Sequence, residues 1–447
     1  MNSENRTSWL RAALLACMAG AMATANAEDR TWRTVAEMAP EDRALFDPAI
    51  DSPRSAKLPY APAEAWPFKP PYTAEEMGYR AAEFTHISRW PHLLVDVYGV
   101  ITSSGYINQG AGVTYVLQNT APGFGAYMND VPAGAEYSRW MIYYTFPPEA
   151  EAVQQLWIPH RTDANNRTKM DFFAYAPELR RVRRMPQPRR DERFPDNAQT
   201  FDDVMGRDPW EFSWELLGTD VIHETVRLPN TRPTLVFNVP GQGYVEKKAS
   251  ELRPMGPDYP YYRADGGVDC WVVKASVRED VLPDYKEKVL VYWLDKHYFF
   301  PIRMEKYDAK GELIMIETRN AAHENPALGE FGYAAGMTLY WDIEHDIMSY
   351  SAHDGHFVKE WTPEEAGMLF TAEFMRRQWL YQPTKSQLVI DDPEQYFLRP
   401  RLLEERFPAV RKITLSPELA QRVAAQEAAG KLVFASPDER QTADSKP

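Results

Sequence analysis

Two strand patterns flank a turn in the stretch Phe300-Pro-Ile-Arg-Met-Glu-Lys-Tyr-Asp-Ala-Lys-Gly-Glu-Leu-Ile-Met-Ile-Glu-Thr318. Asp308 is a residue type that begins turns, and Gly311 can take the positive φ that closes a short hairpin loop. The stretch therefore predicts an antiparallel hairpin made of Phe300–Tyr307 and Glu312–Thr318.

The charges predict the register of this hairpin. When Asp308 pairs with Glu312, Arg303 lies opposite Glu317, and a slip of one residue would lose that ion pair. One face of the hairpin is then charged and faces water. The other face is apolar and consists of Ile302, Met304, Ile314 and Ile316. We expect this face to contact a helix or a ligand, and the sequence leaves that choice open.

Strand patterns continue on both sides of the hairpin. Val268–Val277 and Lys288–Leu294 precede it, and the second is apolar on both faces, so a cover is expected on each side. Other runs rich in β-branched and aromatic residues are Leu93–Ile101, Val113–Gln118, Ser138–Phe146, Val153–Pro159, Thr168–Ala176, Glu211–Val226, Leu235–Val239 and Met337–Ser349. The chain is therefore predicted to be α+β, with a large antiparallel sheet.

Helix signals lie near the two ends of the chain. A capping box at Thr73 predicts a helix through Phe84, and similar signals at Thr362 and Ser416 predict two C-terminal helices. The predicted organisation is a signal peptide (1–27), an N-terminal strap with short helices (28–92), a sheet body that binds the ligand (93–350), a helical segment packed on the body (351–435) and a disordered tail (436–447).

The first residues resemble a secretory signal. Arg6 and Arg11 precede the apolar run 12–25, and Ala25-Asn26-Ala27 fits a cleavage site after Ala27. Lipid attachment at Cys17 is an alternative that is not favoured, because almost no apolar segment precedes it. No later stretch is long and apolar enough to span a membrane. The sequence thus predicts a periplasmic protein.

Composition narrows the function classes. The net charge of −14 argues against a nucleic-acid partner, since an acidic chain is repelled by phosphates. Cys270 is the single cysteine after the leader, which excludes a disulfide framework. The catalytic signatures G-x-S-x-G and H-E-x-x-H are missing. We expect a non-catalytic protein without a cofactor, although missing motifs do not exclude an enzyme.

A run of seven arginines between Leu179 and Arg193 is the strongest charge feature. Guanidinium groups suit phosphate or carboxylate headgroups. The candidates for a headgroup site are Arg180, Arg181, Arg183 and Arg184. Structural pairing with nearby acids is the alternative and is favoured. These acids are Asp202, Asp203, Asp208 and Glu211.

Three histidines could suggest a metal. They are His345 and the pair in His353-Asp354-Gly355-His356. His-x-x-His without a third ligand at a known spacing is weak evidence, and the segment also fits a turn between Met348 and Val358. No metal site is predicted.

Several stretches resemble known proteins. Cys270-Trp-Val-Val-Lys-Ala275, Lys288-Val-Leu-Val-Tyr-Trp-Leu-Asp-Lys296 and the hairpin stretch from Phe300 resemble the late strands of periplasmic lipoprotein-carrier (Lol-type) proteins. Phe172-Phe-Ala-Tyr-Ala-Pro-Glu-Leu-Arg-Arg-Val-Arg-Arg184 and the stretch Phe201–Gly218 resemble the middle of the same sheet. Together they look most like a proteobacterial family of unknown function labelled outer-membrane lipoprotein-sorting protein.

The resemblance implies a strongly curved antiparallel half-barrel with helices on its concave face and an apolar cavity for acyl chains. It carries over no catalytic residues. The leading prediction is a periplasmic carrier for a lipid, an acyl chain or a lipoprotein, with an envelope transporter or outer-membrane partner as a further expectation. The residues predicted to face the ligand are Ile302, Met304, Ile314, Ile316, Trp271 and Trp293. The alternatives are a periplasmic enzyme acting on envelope lipid or polymer, and an accessory subunit of an envelope transporter.

Overall fold

The computed structural model describes residues 30–50, 59–60, 70–85, 92–102, 107–118, 126–127, 132–146, 150, 152–194, 197–223, 234–239, 243–248, 253–256, 259–323, 333–358, 363–376 and 387–388. The strands are β1 Arg33–Thr34, β2 Pro59–Tyr60, β3 His92–Thr102, β4 Ile107–Gln118, β5 Ala126–Tyr127, β6 Ser138–Phe146, β7 Gln154–Pro159, β8 Met170–Ala176, β9 Arg181–Met185, β10 Phe212–Ile222, β11 Thr234–Val239, β12 Gly243–Lys248, β13 Val268–Val277, β14 Val289–Asp295, β15 Pro301–Tyr307, β16 Leu313–His323, β17 Tyr333–Asp342, β18 Ile347–Val358 and β19 Gln387–Leu388. The helices are α1 Pro40–Arg43, α2 Ala74–Thr85, α3 Phe201–Met205 and α4 Pro363–Leu369, and 3₁₀ turns lie at Val35–Glu37, Pro209–Glu211 and Phe374–Arg376.

One antiparallel sheet dominates the fold and does not close on itself. Among the described residues it contains fifteen strands in the order β1-β10-β13-β14-β15-β16-β17-β18-β3-β4-β6-β7-β8-β9, with β19 paired to β18. Strands β1 and β9 are its two edges. The pairing of β18 with β3 joins a half built from early strands to a half built from late strands. The predicted α+β class with a large antiparallel sheet is confirmed.

The predicted strand positions are mostly confirmed. Strands β6 and β13 have the predicted bounds. The predicted single strand Met337–Ser349 is wrong, because β17 and β18 form a hairpin there and Asp346 takes a φ of 50° in its turn. The predicted turn at 353–356 is also wrong, since these residues lie inside β18. The sequence conceals the true turn, because the alternation of apolar residues at Leu339 and Trp341 continues to Ile343 inside the turn.

Helix α2 covers one face of the late strands, which we call the inner face. Its predicted capping box is present, with the Thr73 amide donating to Glu76 at 3.0 Å. Met77 of the helix packs in one cluster with Trp271 and Met304. A Cβ on Gly78 would lie 2.2 Å from the Trp214 ring, so only glycine allows this close approach. The helix therefore fills the space that a ligand could have occupied at these strands.

The back face of the same strands is covered as well. Trp293 and Ile302 pack there in a second cluster with Met255 and Tyr259, which lie in the segment between β12 and β13. This confirms the prediction that strand 288–294 is covered on both sides.

The sheet bends strongly around the short helix α3. Phe201 of this helix packs against Trp157 on β7, while Asp203, two residues later, binds Lys306 on β15. Strands β15 and β7 are seven positions apart in the sheet, which is about 34 Å if the sheet were flat. Five helical residues span only about 7.5 Å. A flat sheet could not contact Phe201 with one strand and Asp203 with the other, so its two halves curve toward each other.

The predicted register of the opening hairpin is wrong by one residue. Met304, not Arg303, lies opposite Glu317, and Arg303 lies opposite Thr318. A bulge between Lys306 and Tyr307 causes the shift, because it adds one residue to β16 at Ile314. The charged face therefore does not face water: Arg303 and Glu317 expose 9% and 1% of their surface.

Some predictions lie outside the described residues. These are the signal peptide, the alternative lipid site at Cys17, the helix that starts at Ser416 and the tail 436–447. The predicted domain boundaries remain predictions. In the part of the chain that the structure describes, no helix is both long and apolar enough to cross a membrane.

Candidate ligand-binding site

The inside of the curved sheet is occupied by the inner segment, which we define as residues 189–194 and 197–211 between β9 and β10. Thr200 caps its helix α3: the Thr200 amide donates to the Asp203 carboxylate at 2.8 Å, and the Asp203 amide donates to the Thr200 hydroxyl at 3.2 Å. Gly206, with a φ of 81°, ends the helix and donates its amide to the Asp202 carbonyl. These contacts fix the two aspartates at the centre of the molecule.

A network of buried charges joins the inner segment to the sheet. None of its members exposes more than 7% of its surface, so nearly all their hydration is replaced by protein contacts. This charged network consists of Lys169, Arg190, Asp202, Asp203, Arg207, Asp208, Glu211, Glu287, Lys306, Glu317 and Arg319.

Lys306 on β15 lies at the centre of the network. Its ammonium binds the Asp203 carboxylate and lies 3.5 Å from Glu287 and 3.7 Å from Glu317. The guanidinium of Arg207 bridges Asp203 at 2.8 Å and Glu287 at 2.5 Å. These directional contacts link α3 to β15, to β16 and to the loop before β14.

Arg190 anchors the beginning of the inner segment. Its Nε donates to both oxygens of Asp202 at 2.8 and 3.0 Å, and its two Nη groups donate to Glu211 at 2.6 Å. The bifurcated contact with Asp202 and the bidentate contact with Glu211 leave no guanidinium edge for a ligand. The pairing of an arginine in this run with nearby acids, favoured from sequence, is therefore confirmed for Arg190.

The network contains six carboxylates and five cations, and the pKa values of two of the carboxylates depart from their ordinary values. Burial raises the pKa of Glu287, and Arg207 and Lys306 offset that effect only in part. Burial also acts to raise the pKa of Asp203, but Lys306 and Arg207 outweigh it and hold that pKa below its ordinary value. Two carboxylates that share the same cations thus shift in opposite directions.

Aromatic side chains line the opposite half of the inner surface. Trp140 and Trp157 stack at 6.0 Å on adjacent strands, and Phe194 and Phe201 of the inner segment cover them, 4.1 Å apart. Phe172 joins edge-on at 5.4 Å from Trp157. We call these five residues the aromatic cluster. Phe172 and Phe194 are only half-buried, so part of this apolar surface is accessible from outside.

A pocket of about 200 Å³ opens beside the charged network. It is lined by Asp191, Glu192, Arg193, Thr200, Lys286, Glu287, Ile314, Met315 and Asp342. Arg193 binds Asp342 at 3.1 Å, His345 reaches the same carboxylate through Nδ1 at 3.0 Å, and Lys286 binds Glu344 at 2.9 Å. Because Arg193 and Lys286 are each paired with a carboxylate, the pocket suits a small polar group better than a free anion.

The sequence profile of the DUF1329 family, a protein family of unknown function, matches residues 61–375. The chain belongs to this family. The match includes the inner segment, the charged network, the aromatic cluster and every strand from β3 to β18. The family resemblance stated from sequence is thereby confirmed. No curated protein matches the chain.

Solved structures are similar to this chain at low sequence identity. A domain from Vibrio parahaemolyticus, described as a candidate outer membrane lipoprotein-sorting protein, is 13% identical, with 68% of this chain and 98% of that chain covered and a TM-score of 0.45. A DUF1329 protein from Desulfovibrio piger is 12% identical, with coverages of 70% and 99% and a TM-score of 0.46. A LolA superfamily protein from Nitrosomonas europaea is 10% identical, with coverages of 66% and 96% and a TM-score of 0.38.

In this DUF1329 protein the six residues predicted to face a ligand do not share one face. Met304 and Trp271 pack under α2 on the inner face, whereas Ile302 and Trp293 pack on the back face. A second bulge, between Trp293 and Leu294, separates Ile302 from Met304 because Ile302 is the extra residue on β15. Trp271 and Trp293 differ without a bulge, because Trp271 pairs with Leu294, the residue after Trp293. Ile316 is buried opposite Glu305, and Ile314 lines the pocket. The predicted single apolar face is therefore wrong, and ligand binding by these residues stays a prediction.

The four candidate headgroup arginines lie together on and beside β9. All four are exposed, and Arg184 forms an ion pair with Asp171. Of the histidines, His345 lies in the β17–β18 turn, while the side chains at 353 and 356 are outside the described part. Among described residues, no group of three His, Cys, Asp or Glu could hold a metal ion.

Sequence reasoning missed the strand members of the charged network. The sequence places Glu317 on the charged face predicted to face water, and its inward direction depends on the bulge at Ile314, which sets it opposite Met304. Lys306 and Arg319 are not singled out by the sequence analysis. One signal was available: charged residues recur along two neighbouring strands whose remaining residues are mostly apolar, in PIRMEKY and in LIMIETRNAAH. Such a pattern also fits a polar inner surface.

Proposed function

We propose that this protein is a non-catalytic binding protein of the bacterial envelope that carries a hydrophobic ligand, namely a lipid, an acyl chain or a lipoprotein. The observation that supports it is the aromatic cluster, an apolar surface on the inside of a bent sheet that is only partly covered. Each methylene that moves from water onto such a surface contributes about 0.8 kcal/mol, so a chain of ten carbons is worth several kcal/mol. Location in the periplasm is part of the proposal and rests on the signal pattern at the N-terminus.

The charged network and the aromatic cluster would have different roles in binding: the first would hold α3 in place, and the second would contact the ligand. Ion pairs hold α3 against β15 by directional contacts, whereas Phe194 and Phe201 hold it against β7 by apolar contact alone. An acyl chain can replace apolar contacts without leaving a polar group unsatisfied, but it cannot replace an ion pair. The ligand would therefore lie between the half-buried Phe194 and the other four residues of the aromatic cluster.

A fluorescent fatty acid tests this proposal. We expect wild-type protein to bind the probe in a saturable way, and Phe194→Asp to weaken binding at least tenfold because it places a charge against the acyl chain. Tyr261→Asp is the matched control, since Tyr261 is an exposed aromatic residue on the back of the molecule. We expect this variant to bind the probe as wild type does. Ile314→Asp examines the predicted ligand residue that lines the pocket.

Two results would contradict the proposal. The first is no saturable binding by folded wild-type protein, together with no lipid found by mass spectrometry after purification from the native envelope. The second is equal weakening by Phe194→Asp and Tyr261→Asp. Weakening by Ile314→Asp alone would move the ligand from the aromatic cluster to the pocket.

A further inference from the structure

The edge formed by β9 differs from the rest of this acidic molecule. Arg180, Arg181, Arg183 and Arg184 are all exposed there, while the whole chain carries a net charge of −14. Leu179 and Met185 flank the arginines and expose 50% and 38% of their surface. Along the described chain only one other large hydrophobic residue, Tyr261, is exposed to this degree.

The geometry of the edge explains why these side chains stay in water. Strand β9 pairs with β8 on one side, and no described strand pairs with its other side. The turn Phe374–Arg376 lies near β7 and β9 but leaves the arginines exposed. Side chains alternate along a strand, so Arg181 and Arg183 project from one face and Arg184 from the other.

Most of the positive charge on this edge is not neutralised by the protein itself. Arg184 binds Asp171, but no described carboxylate forms an ion pair with Arg180, Arg181 or Arg183. Elsewhere the exposed arginines Arg189, Arg263 and Arg278 each pair with an aspartate. Arginine on an edge strand also discourages pairing with other strands. That role accounts for the charge but not for the two exposed apolar residues beside it.

We propose that the β9 edge docks the protein on a bilayer surface that contains anionic phospholipid. Leu179 at the β8–β9 turn and Met185 at the far end of the strand are on the order of 20 Å apart, with the arginines between them. Apolar side chains that enter the interface beside cations that bind phosphates are the combination that holds peripheral proteins on membranes. The acidic body does not prevent this, because charges more than about 10 Å away are screened at ordinary salt.

This inference does not depend on the proposed ligand. A protein that binds no fatty acid can still bind vesicles, and the reverse is equally possible. If both hold, the edge would bring the ligand-binding interior to the membrane from which a lipid is taken or to which it is given.

Vesicle sedimentation tests the proposal with the full chain. We expect binding to vesicles of phosphatidylcholine with phosphatidylglycerol, little binding to phosphatidylcholine alone, and weaker binding as salt rises. Each arginine at a membrane surface is worth about fivefold in affinity, so Arg181→Gln with Arg183→Gln should weaken binding about twentyfold. Arg33→Gln with Lys310→Gln is the matched control, because it removes two exposed cations elsewhere and should bind normally.

Two further variants separate a membrane from other partners. Arg181→Lys with Arg183→Lys keeps the charge and should keep vesicle binding within about threefold, because a bilayer attracts charge without requiring the guanidinium fork. Leu179→Asp should weaken vesicle binding without changing the affinity for soluble phosphoglycerol, which we expect to be negligible. All these residues are exposed, so thermal unfolding should be unchanged.

Several outcomes would overturn the proposal. One is equal binding to vesicles with and without phosphatidylglycerol. Another is a loss as large for the control as for the β9 variant. Binding of an acidic peptide to the β9 edge with no binding to vesicles would assign this edge to a protein partner. Tight binding of soluble phosphoglycerol would assign it to a small anion.

Discussion

The charged network and the aromatic cluster hold the same helix by different physics. At the middle of α3, Asp203 binds Lys306 and Arg207 through contacts with fixed directions. Two residues away, Phe201 packs among rings at distances of 4 to 6 Å that tolerate rearrangement. Buried ion pairs add little stability over a well-packed apolar core, but breaking one is costly. We infer that the charged network fixes the position of the inner segment, whereas the aromatic cluster would adapt to the proposed ligand.

Removal of the central cation should have the largest effect. Lys306→Met leaves the buried carboxylates of Asp203 and Glu317 without their shared ammonium, and we expect a loss of about 3–5 kcal/mol in the free energy of unfolding. Urea denaturation measures it. The double variant Lys306→Met with Asp203→Asn should lose less than the sum of the single changes. Additive losses would show that the two groups are not coupled.

A substitution in the aromatic cluster should lower the free energy of unfolding less than Lys306→Met does. It should weaken fatty-acid binding more. Phe194→Ala removes a half-buried ring, and we expect a loss of about 2 kcal/mol, below the range for fully buried phenylalanine. The same variant should reduce fatty-acid binding, whereas a folded Lys306 variant should retain it. If both variants lose binding equally, the division between a fixed half and an adaptable half is wrong.

The two carboxylates with opposite pKa shifts should respond to pH in opposite ways. The pKa of Asp203 is below its ordinary value, so its stabilisation is present above about pH 4 and is lost as the pH falls further. The pKa of Glu287 is raised by burial, so its ionisation at neutral pH opposes folding.

Urea denaturation of two neutral variants at several pH values checks these signs. The cost of Asp203→Asn should shrink as the pH falls from 5 to 2. The stability of Glu287→Gln relative to wild type should rise between pH 4 and pH 7, by about 1 kcal/mol for each unit of pKa shift. Parallel responses of the two variants would contradict the assignment.

The smallest effect is expected at an exposed ion pair. Arg184 binds Asp171, yet its side chain exposes 68% of its surface. Arg184→Gln should therefore change the free energy of unfolding by less than about 0.5 kcal/mol. A loss as large as that of Lys306→Met would show that burial does not separate the two kinds of pair.

Local features of this fold are legible in the sequence, and those that depend on register are not. The bounds of β6 and β13 and the cap at Thr73 follow from propensity and turn chemistry. The two bulges at β15 and β16 leave no clear local signal, yet they decide which side chains point inward. The aromatic cluster was equally hidden, because Trp157 and Phe201 meet only when the sheet bends.

The pairing of β18 with β3 has a consequence for how the chain is made. Strand β3 ends at Thr102, and its partner begins at Ile347, roughly 250 residues later. At about 5–20 residues per second, a ribosome needs on the order of 10–50 s to supply that partner. During this interval the edge of β3 that pairs with β18 has no partner, and an unpaired strand edge favours aggregation. The late position of β18 thus exposes one edge of β3 until the last part of the chain has been supplied, whether by synthesis or by export.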